Sequence, residues 1–380
     1  MIVGRRVRLK PTKAQENWLK QYAGVSRFVY NYSLGLKIDT YNISGENLGQ
    51  KELMRNITDL KYTDDYLWLQ NYNSETIKQS VKDMLSAYNR FFNGLSRYPK
   101  FKKRGKCKES FYVRYDKIYS LDDRHIKLPN LKEPMKISES LLITKGTIKN
   151  PRVAFDGKYW YLSYSFEVEP MTIDLLDEIL GVDLGIKDLA IVSNGDVYSN
   201  INKSDKVIKL EKKLRILQRR VSRAYEKNSH RKTRNIIKME RKLRLLHRRL
   251  KNIRQTYIHQ ITYGIVKTKP SMIVLENLGI SNMMKNRHLS KSIQNQSWYF
   301  FRQCIQYKSE FYGGINVLVV PRAYPSSKLC SRCGNKKHNL KLKDRVYACS
   351  SCGLIMDRDL NASINLRNYG LAKLDKSASV

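Results

Sequence analysis

Two pairs of cysteines near the carboxyl end place the tightest constraint on how this chain can fold. Two residues separate Cys330 from Cys333, and two separate Cys349 from Cys352. Fifteen residues lie between the two pairs, and each pair is followed at once by glycine. Two thiolates on one tight turn supply half of a tetrahedral Zn²⁺ site. Four such ligands leave no position for water, so we expect one structural Zn²⁺ in a zinc ribbon at 326–355. A redox dithiol is the alternative, and two pairs at ribbon spacing argue against it.

The charge of the chain limits the class of partner. Its 380 residues include 72 Lys+Arg against 34 Asp+Glu, which gives a formal net charge of +38. Such a surplus repels itself unless a polyanion neutralises it, so nucleic acid is the expected partner. Disorder is the alternative explanation, but 41% hydrophobic residues and 25 tyrosines argue for a folded protein.

Nothing in the sequence predicts association with a membrane. No apolar run approaches the roughly 18 to 20 residues that a spanning helix needs. The opening MIVGRRVRLKP contains an apolar stretch too short for a secretory signal. We therefore expect an intracellular protein.

The amino-terminal half predicts a helical segment set into strands. The first strand, at 1–10, alternates apolar and basic residues, and Thr12 with Gln15 can then cap a helix. Apolar residues recur at helical spacing up to Leu34 and again from about Ser74 to Leu95. From residue 98 onward aromatic and basic residues alternate between turns, which predicts a twisted β-barrel that the first strand joins.

The carboxyl-terminal half begins with strands and continues as a long helical hairpin. Glycines and turns separate three apolar runs from Ile179, which predicts a β-meander with Asp183 in its first strand. A hairpin at 205–268 then breaks near Asn228. From Lys203 to Arg254 it carries 21 Lys+Arg and four acidic residues, a net charge of 21 − 4 = +17. A solvated coiled-coil face would mix signs, so phosphate contact is favoured. No internal repeat is identified.

Three acidic residues lie in contexts that suggest chemistry. Asp183 lies in the strand GVDLG, Glu276 ends the apolar strand PSMIVLE, and Asp359 opens a last helix in DLNAS. Between Glu276 and Asp359 we expect a polar loop at 280–297. A carboxylate in an apolar strand costs several kcal/mol unless it is paired or bound to metal. Together the three can hold two Mg²⁺ ions at a phosphodiester. We interpret three nearby acids as turn or surface residues, namely Asp188, Asp196 and Asp357.

The order of these motifs resembles a known family. GVDLG, LENL, YPSSKLCSRCG, CSSCG and DRDLNASINL follow one another as in TnpB, the nuclease of insertion-sequence transposons, and in its relatives, the type V CRISPR effectors. The resemblance covers most of the chain and is most specific from about Gly181 to Leu366. Ser363 departs from it, because many relatives have alanine there.

The resemblance implies an α/β multidomain fold. A RuvC nuclease domain of RNase H-like fold would span 176–325, carry the basic hairpin, and be interrupted by the zinc ribbon. A wedge β-barrel would hold an inserted helical recognition domain. The remaining predicted bounds are the first barrel strand at 1–10, the recognition domain at 11–97, the barrel at 98–175, the last RuvC helix at 356–368 and a tail at 369–380.

The resemblance also implies an activity. The catalytic acids of the family fall on Asp183, Glu276 and Asp359, with two Mg²⁺ ions as cofactors in addition to the zinc. A guide RNA from the transposon end would pair with double-stranded target DNA beside a short motif, and the single RuvC site would cut both strands. The expected setting is the prokaryotic cytoplasm, at the nucleoid, with the protein as a monomer.

Two groups of side chains are candidates for nucleic-acid contact. Polar residues of the second helical block could read the adjacent motif, and a basic strip beside the barrel could bind phosphates. These candidates are Lys78, Gln79, Ser80, Lys100, Lys102, Lys103 and Arg104.

Other functions stay open at this point. A guide-dependent repressor would keep the scaffold without cleavage, and the presence of all three acids disfavours it. A structure-selective nuclease without a guide would share the fold, but the charge exceeds what one junction requires. A single-strand transposase would need a His-x-His pair, which the chain lacks.

Overall fold

The computed structural model describes residues 1–141, 148–341 and 344–378. The chain divides into an N-terminal unit, Ile2–Val168, and a C-terminal unit, Glu169–Val380, with which Met1 is grouped. Within the described residues no helix combines the length and the apolar character needed to cross a membrane.

The N-terminal unit is built on one antiparallel sheet of seven described strands. β1 (Ile2–Lys10) alternates, so that Val7 and Leu9 are buried while the basic residues Arg6, Arg8 and Lys10 are not. It pairs with β7 and with β5, which confirms that the first strand joins the later ones. The sheet order is β2-β6-β7-β1-β5-β4-β3. The strands are β1 (Ile2–Lys10), β2 (Ser110–Tyr112), β3 (Tyr119–Asp122), β4 (His125–Lys127), β5 (Met135–Ile137), β6 (Lys149–Phe155) and β7 (Trp160–Glu167).

Three helices are inserted between β1 and β2: α1 (Lys13–Ser44), α2 (Gln50–Leu60) and α3 (Ser74–Phe92). Thr12 and Gln15 form the predicted capping box at the start of α1. The apolar faces of the helices share a core that includes Val29, Leu53 and Val81. The two predicted helical blocks are therefore confirmed, whereas α2 was not foreseen.

The C-terminal unit contains a five-stranded mixed sheet in the order β10-β9-β8-β11-β12. β8 to β10 form the predicted antiparallel meander, while β11 runs parallel to both β8 and β12. Because parallel strands end at the same edge, β8 and β11 bring their carboxyl ends together. The strands are β8 (Leu176–Leu184), β9 (Asp188–Val192), β10 (Val197–Ser199), β11 (Pro270–Leu275) and β12 (Asn316–Val319).

The helices of this unit agree with the sequence pattern in part. The hairpin is formed by α4 (Asp205–Lys227) and α5 (Arg234–Lys267), and α4 ends at the predicted break, with Asn228 as its C-cap. The expectation of a plain loop at 280–297 was wrong, because α6 (Ile280–Met283) and α7 (Ser290–Gln296) form there. α8 (Trp298–Phe311) follows.

The last helix is longer than predicted. α9 (Arg358–Ala378) continues through most of the predicted tail, whose residues 379–380 lie outside the described ones. Its middle packs on β8 and β11 through Leu366, which is buried with Val274 and Ile179. Apolar packing therefore extends the helix beyond the motif that revealed its start.

A two-stranded hairpin precedes α9 and consists of β13 (Val346–Ala348) and β14 (Ile355–Asp357). Residues 342–343 of the predicted ribbon lie outside the described ones. Short 3-10 helices occur at Asp64–Asn71, Tyr115–Lys117, Ile201–Lys203 and Ser326–Lys328.

Candidate active site and metal centre

Two of the predicted acids meet at the carboxyl edge of the mixed sheet. Val182 of β8 pairs with Leu275, the last residue of β11, so Asp183 and Glu276, which follow them, reach the same edge. Their carboxyl groups lie within hydrogen-bonding reach of each other, and both residues are largely but not fully buried. The parallel pairing therefore brings together two acids that are 93 residues apart in the sequence.

The third acid, Asp359, reaches this cluster from the first turn of α9. Its neighbour Asp357 accepts hydrogen bonds from the backbone N–H groups of Asp359 (2.9 Å) and Leu360 (3.1 Å). Asp357 is therefore the N-cap of the helix, and its carboxylate is occupied by these two hydrogen bonds. Within the part of the chain that the structure describes, Asp359 accepts no backbone hydrogen bond of this kind, and it lies close enough to Asp183 to affect its ionisation.

Gly181 sets how closely α9 approaches β8. A Cβ atom at this position would lie 2.0 Å from the carbonyl oxygen of Ser363 and 2.5 Å from the backbone nitrogen of Arg367. Only glycine can therefore occupy the GVDLG position two residues before Asp183 while α9 packs where it does. This contact fixes the distance between β8 and the helix that carries Asp359.

Burial raises the pKa of all three acids. It raises the pKa of Asp183 well above its usual range, and repulsion from Glu276 and Asp359 adds to the rise. Burial also raises the pKa of Glu276, and the hydrogen bond with Asp183 partly offsets that rise. For Asp359 the pKa is raised by burial and by Asp357, and lowered to a smaller extent by nearby cations, including Arg345 at 3.8 Å. Asp183 is therefore the acid at which the repulsion within the cluster is concentrated.

The donor type of the three acids fits divalent cations. Carboxylate oxygens are ligands that Mg²⁺ prefers in proteins. Asp183 lies close to both of the other acids, since Glu276 and Asp359 both act on its ionisation.

Arg302 lies beside the acid cluster and was not predicted. It lines a small cavity of about 30 Å³ together with Glu276, Leu275 and Trp298. It is half-buried and makes no ion pair or hydrogen bond with any described residue. A guanidinium without an acidic partner beside a carboxylate cluster is suited to contact a phosphate. A single arginine in a helical pattern gives no sequence signal for such a role.

The four predicted cysteines form a second cluster. All four sulfur atoms lie within 4.8 Å of one another, with Cys330 and Cys352 at 3.5 Å and Cys333 and Cys349 at 3.6 Å. Tetrahedral Zn²⁺ with bonds of 2.3 Å requires sulfur separations of about 3.8 Å. The donor type and the spacing both fit one zinc ion.

The glycine after each cysteine pair closes a turn. Gly334 (φ +72°) and Gly353 (φ +71°) adopt left-handed backbone, and their N–H groups donate to the carbonyls of Cys330 (2.9 Å) and Cys349 (3.2 Å). Backbone N–H groups of Cys352 and Ser351 help to lower the pKa of Cys349 to about 6. The backbone of Leu354 lowers the pKa of Cys352, but burial and hydrogen bonds with the other three thiols raise it to about 12. Cys349 is therefore the ligand best suited to bind metal first, and Zn²⁺ would displace the protons that the other thiols hold.

Amide side chains of α9 connect the cysteine cluster to the acid cluster. Asn361 is fully buried, donates to the carbonyl of Leu329 (2.7 Å) and accepts from the N–H of Ser331 (2.9 Å). Asn365 also donates to Leu329 (2.7 Å). The bonded segment contains Cys330, so the helix that presents Asp359 is joined directly to the first cysteine turn. The sequence motif marked these asparagines but did not reveal this role.

The candidates on α3 divide into surface and interior residues. Lys78 is exposed and pairs with Glu75 at 3.2 Å, and Gln79 donates to Asp83 at 3.0 Å. The expectation was wrong for Ser80, which is 2% exposed and shares a hydrogen bond of 2.7 Å with Ser26. Helical periodicity should have placed it inside, because it follows the buried Ile77 by three residues.

The basic strip before β2 divides in the same way. Lys100, Lys103 and Arg104 are exposed. The ammonium of Lys102 lies 3.6 Å from the ring centre of Tyr30, and burial lowers its pKa. Lys102 therefore stabilises the fold by a cation–π contact and offers little to a ligand.

The other acids near the cluster are used locally, as expected. Asp188 pairs with Lys187 at 3.7 Å, and Asp196 accepts a hydrogen bond from the side chain of Asn194 at 3.0 Å. Neither contributes to the pKa shifts of Asp183, Glu276 or Asp359.

Three segments of the chain match known sequence families. Residues 165–287 match a family described as “Probable transposase” (OrfB_IS605), and residues 298–366 match “Cas12f1-like, TNB domain”. Residues 1–46 match a “Helix-turn-helix domain” (HTH_OrfB_IS605). In the structure that last segment is the strand β1 followed by the single long helix α1, so it contains no helix-turn-helix.

Proteins similar over nearly the whole chain carry related names. “Putative RNA-guided DNA endonuclease InsQ” of Escherichia coli (strain K12) is 32% identical over 385 residues, covering 96% of this chain and 92% of that protein. A “Putative RNA-guided DNA endonuclease” of Streptomyces pristinaespiralis is 28% identical, covering 96% and 88%.

A solved structure shares the fold. The chain resembles a protein in the “Cryo-EM structure of the Cas12f1-sgRNA-target DNA complex” with a TM-score of 0.58 and 16% identity, covering 94% of this chain and 83% of the other. At that identity the similarity concerns the fold alone.

Proposed function

This chain belongs to the TnpB family of RNA-guided DNA endonucleases, and on that premise we propose that it cuts DNA through one RuvC-like site formed by Asp183, Glu276 and Asp359. The observation that carries the proposal is the convergence of these acids, from two parallel strands and a helix, on Asp183, whose charge Glu276 and Asp359 repel. Repelling carboxylates destabilise a fold unless cations join them in use.

The fold supports this assignment. An antiparallel three-stranded meander followed by two parallel strands, with the acids at the edge of the central pair, is the arrangement that the resemblance implies for an RNase H-like domain. The N-terminal sheet would be the wedge barrel, and α1 to α3 the recognition domain inserted in it.

The acids Asp183, Glu276 and Asp359 would together hold two Mg²⁺ ions. Bound there, the ions would activate the attacking water and stabilise the leaving oxygen of a phosphodiester. The protein itself positions the three carboxylates. The N-terminal turn of α9, capped by Asp357, holds Asp359, and the close contact at Gly181 fixes that turn against β8.

Arg302 would bind the DNA beside the ions. Its guanidinium lies on the cavity shared with Glu276 and has no acidic partner among the described residues. Two N–H donors of a guanidinium can bind two phosphate oxygens at once, which orients the phosphate relative to the carboxylates.

The basic surfaces would hold the nucleic acids. A guide RNA from the transposon end would be bound by phosphate contacts along α4 and α5 and at Lys100, Lys103 and Arg104. Its pairing with the target would select the DNA beside a short motif, for which Lys78 and Gln79 remain candidate contacts. Acting on chromosomal DNA, the protein would work as a monomer at the prokaryotic nucleoid.

The cysteine cluster would hold one structural Zn²⁺. Four thiolates complete a tetrahedral shell, so the site would take no part in hydrolysis. Its contribution would be to fix the segment 329–331 to which α9 is hydrogen-bonded.

The decisive experiment uses the nucleic acid that copurifies with the full-length protein. We expect RNA, which is sequenced, resynthesised with a chosen guide and tested for cutting matching duplex DNA in Mg²⁺. Asp183→Ala should reduce cleavage at least about 10³-fold and leave RNA binding intact, since the carboxylate acts only on the metal ions. Asp196→Ala, which removes a surface acid of the same unit, should cut like the wild type.

Each alternative predicts a different result. Guided binding without any cut by the wild-type protein would indicate a repressor. Cleavage that needs no RNA would indicate a structure-selective nuclease. Unchanged cleavage by Asp183→Ala would show that the acids were wrongly assigned.

A further inference from the structure

The two helices of the basic hairpin enclose a groove whose floor is apolar. The floor is formed by Ile216 and Leu217 of α4 and by Leu245 and Leu246 of α5, and the groove has a volume of about 480 Å³. Ile216 is 43% exposed. Apolar side chains open to solvent between two strongly charged helices usually mark a contact surface.

The groove is built from an internal repeat that the sequence analysis did not identify. Residues 212–221 read KKLRILQRRV and residues 241–250 read RKLRLLHRRL. Leu210 near the start of α4 packs with Leu250 far along α5, and Tyr225 near the end of α4 bonds to Glu240, so the helices are antiparallel. The two copies therefore face each other with approximate two-fold symmetry.

Each copy contributes the same pattern to the groove. Lys213 and Arg220 flank the floor residues of α4, and Lys242 and Arg249 flank those of α5. None of these four rim cations forms an ion pair with a residue that the structure describes. The rim thus combines four unneutralised cations with an apolar floor in one groove.

The charge selects the kind of partner. A second copy of this chain would bring an equally cationic groove, which the rim would repel. An acidic helix of another protein could neutralise the rim only, whereas positive charge continues along the outer faces of both helices. A polyphosphate chain matches the whole surface.

We propose that this groove binds an unpaired segment of the guide RNA, with bases on the apolar floor and flanking phosphates on the four rim cations; the inference rests on the proposed function. Bases inside a duplex are stacked and could not reach the floor, so only unpaired nucleotides satisfy both parts of the groove. Under the proposed function the guide RNA is bound before target DNA arrives, so RNA rather than DNA is the ligand that can cover the exposed apolar residues before a target is bound.

The first test separates the rim from general charge. The full-length variant Lys213→Gln/Arg220→Gln/Lys242→Gln/Arg249→Gln is compared with a control of equal charge, Lys212→Gln/Arg219→Gln/Lys238→Gln/Arg241→Gln, whose side chains are exposed but do not line the groove. The probe is a single-stranded oligouridine of roughly 20 nucleotides. We expect affinity to fall about 30-fold for the rim variant and about threefold for the control. Equal losses would overturn the proposal.

The second test addresses the floor without changing charge. Ile216→Asn/Leu245→Asn should weaken oligouridine binding about tenfold while leaving the salt dependence unchanged, because no phosphate contact is lost. Binding of an RNA duplex of equal length should be unaffected. A variant that binds oligouridine like the wild type, or loses both ligands equally, would rule out base contact. Thermal unfolding verifies that both half-exposed substitutions leave the fold intact.

A photo-crosslinking amino acid at position 216 identifies the occupant directly. With the copurified RNA and matching DNA both present, we expect crosslinks to unpaired RNA nucleotides. Crosslinks to DNA, to paired nucleotides or to another protein would refute the assignment. Guided cleavage by the wild-type protein is measured in parallel, so a failed groove test with active cleavage rejects the groove alone, and a loss of guided cleavage in the wild type rejects the proposed function.

Discussion

The cysteine cluster and the acid cluster of the C-terminal unit are built on opposite principles. The four cysteine sulfurs lie at separations that fit a single Zn²⁺, and backbone N–H groups lower the pKa of Cys349. Burial raises the pKa of all three carboxylates, repulsion raises that of Asp183 further, and all three residues stay partly exposed. The first is a closed site that can stabilise the fold, while the second is an open site that strains it.

The two clusters also differ in which parts of the structure determine the positions of their side chains. The cysteine ligands come from two local turns, so a short sequence pattern encodes them. The acids come from β8, β11 and α9, and their positions depend on strand pairing and on the close packing at Gly181. The helix α9 belongs to both, since Asn361 bonds to the cysteine turn two residues after Asp359.

The largest expected effect on stability comes from breaking the closed site. Cys330→Ser removes one of four thiolates, and since metal binding supplies folding free energy to such ribbons, we expect a loss of several kcal/mol with loss of bound zinc. Thermal unfolding and zinc content of the purified protein measure this. Cys107→Ser, outside the cluster, should change neither. If Cys330→Ser retained zinc and stability, the cluster would not be a structural site.

A second test addresses the packing that assembles the open site. Gly181→Ala places a methyl group 2.0 Å from a backbone oxygen of α9, so the helix must move away from β8. We expect a loss of about 3 kcal/mol or more in the free energy of unfolding, the range of an overpacked core. Chemical denaturation measures it.

The matched control for this substitution is Gly264→Ala in the interior of α5. A Cβ there has no neighbour closer than 3.8 Å, and the helix should gain about 0.5 to 1 kcal/mol. Similar effects of the two substitutions would show that the close approach of α9 is not needed to assemble the acids.

What the sequence could predict follows the same division. The cysteine turns, the capping box at Thr12 and the break at Asn228 depend on neighbouring residues, and the structure confirms them. The choice of Asp359 over Asp357 came only from the family motif. Its physical reason is that the carboxylate of Asp357 is used as a helix cap, which is visible only when the backbone is known.

The predictions that failed required tertiary information or a finer reading of periodicity. Lys102 points toward the protein because its ammonium contacts the ring of Tyr30. The extension of α9 depends on contacts with β8 and β11, which are distant in the sequence. Ser80 was a periodicity error, since its neighbours already defined the buried face. Charged residues dominate the hairpin repeat and mask it in the sequence, whereas its paired apolar positions become evident once the helices face each other.

The strain at the open site predicts a dependence on pH. Raised pKa values mean that the folded state binds protons more tightly than the unfolded state, so stability must fall as the pH rises from the usual carboxylate range toward the raised values. In magnesium-free buffer without chelator, which leaves the zinc in place, we expect the melting temperature to fall over this window. The melting temperature of Asp183→Asn should fall less steeply. Added Mg²⁺ should restore the melting temperature of the wild type, because it removes the repulsion between the carboxylates.

The comparison with Asp183→Asn cancels contributions from other titrating groups. The two proteins should have similar melting temperatures at low pH and differ by a few degrees, about 1 kcal/mol, at pH 7. The acids would not form one cation site if the two proteins gave parallel curves of melting temperature against pH without Mg²⁺. The same conclusion would follow if Mg²⁺ raised the melting temperature of the variant as much as that of the wild type.

The smallest expected effect measures how strongly the two sites are joined. Asn361→Ala leaves the N–H of Ser331 without its partner and removes one donor to Leu329, which should cost about 1 to 2 kcal/mol in a buried position. In Cys330→Ser the segment 329–331 has already lost its metal anchor, so adding Asn361→Ala there should cost less. A double-mutant cycle by chemical denaturation yields this coupling energy. Coupling near zero would mean that zinc stabilises the ribbon without positioning α9, and guided cleavage by Asn361→Ala would then match the wild type even though the protein is less stable.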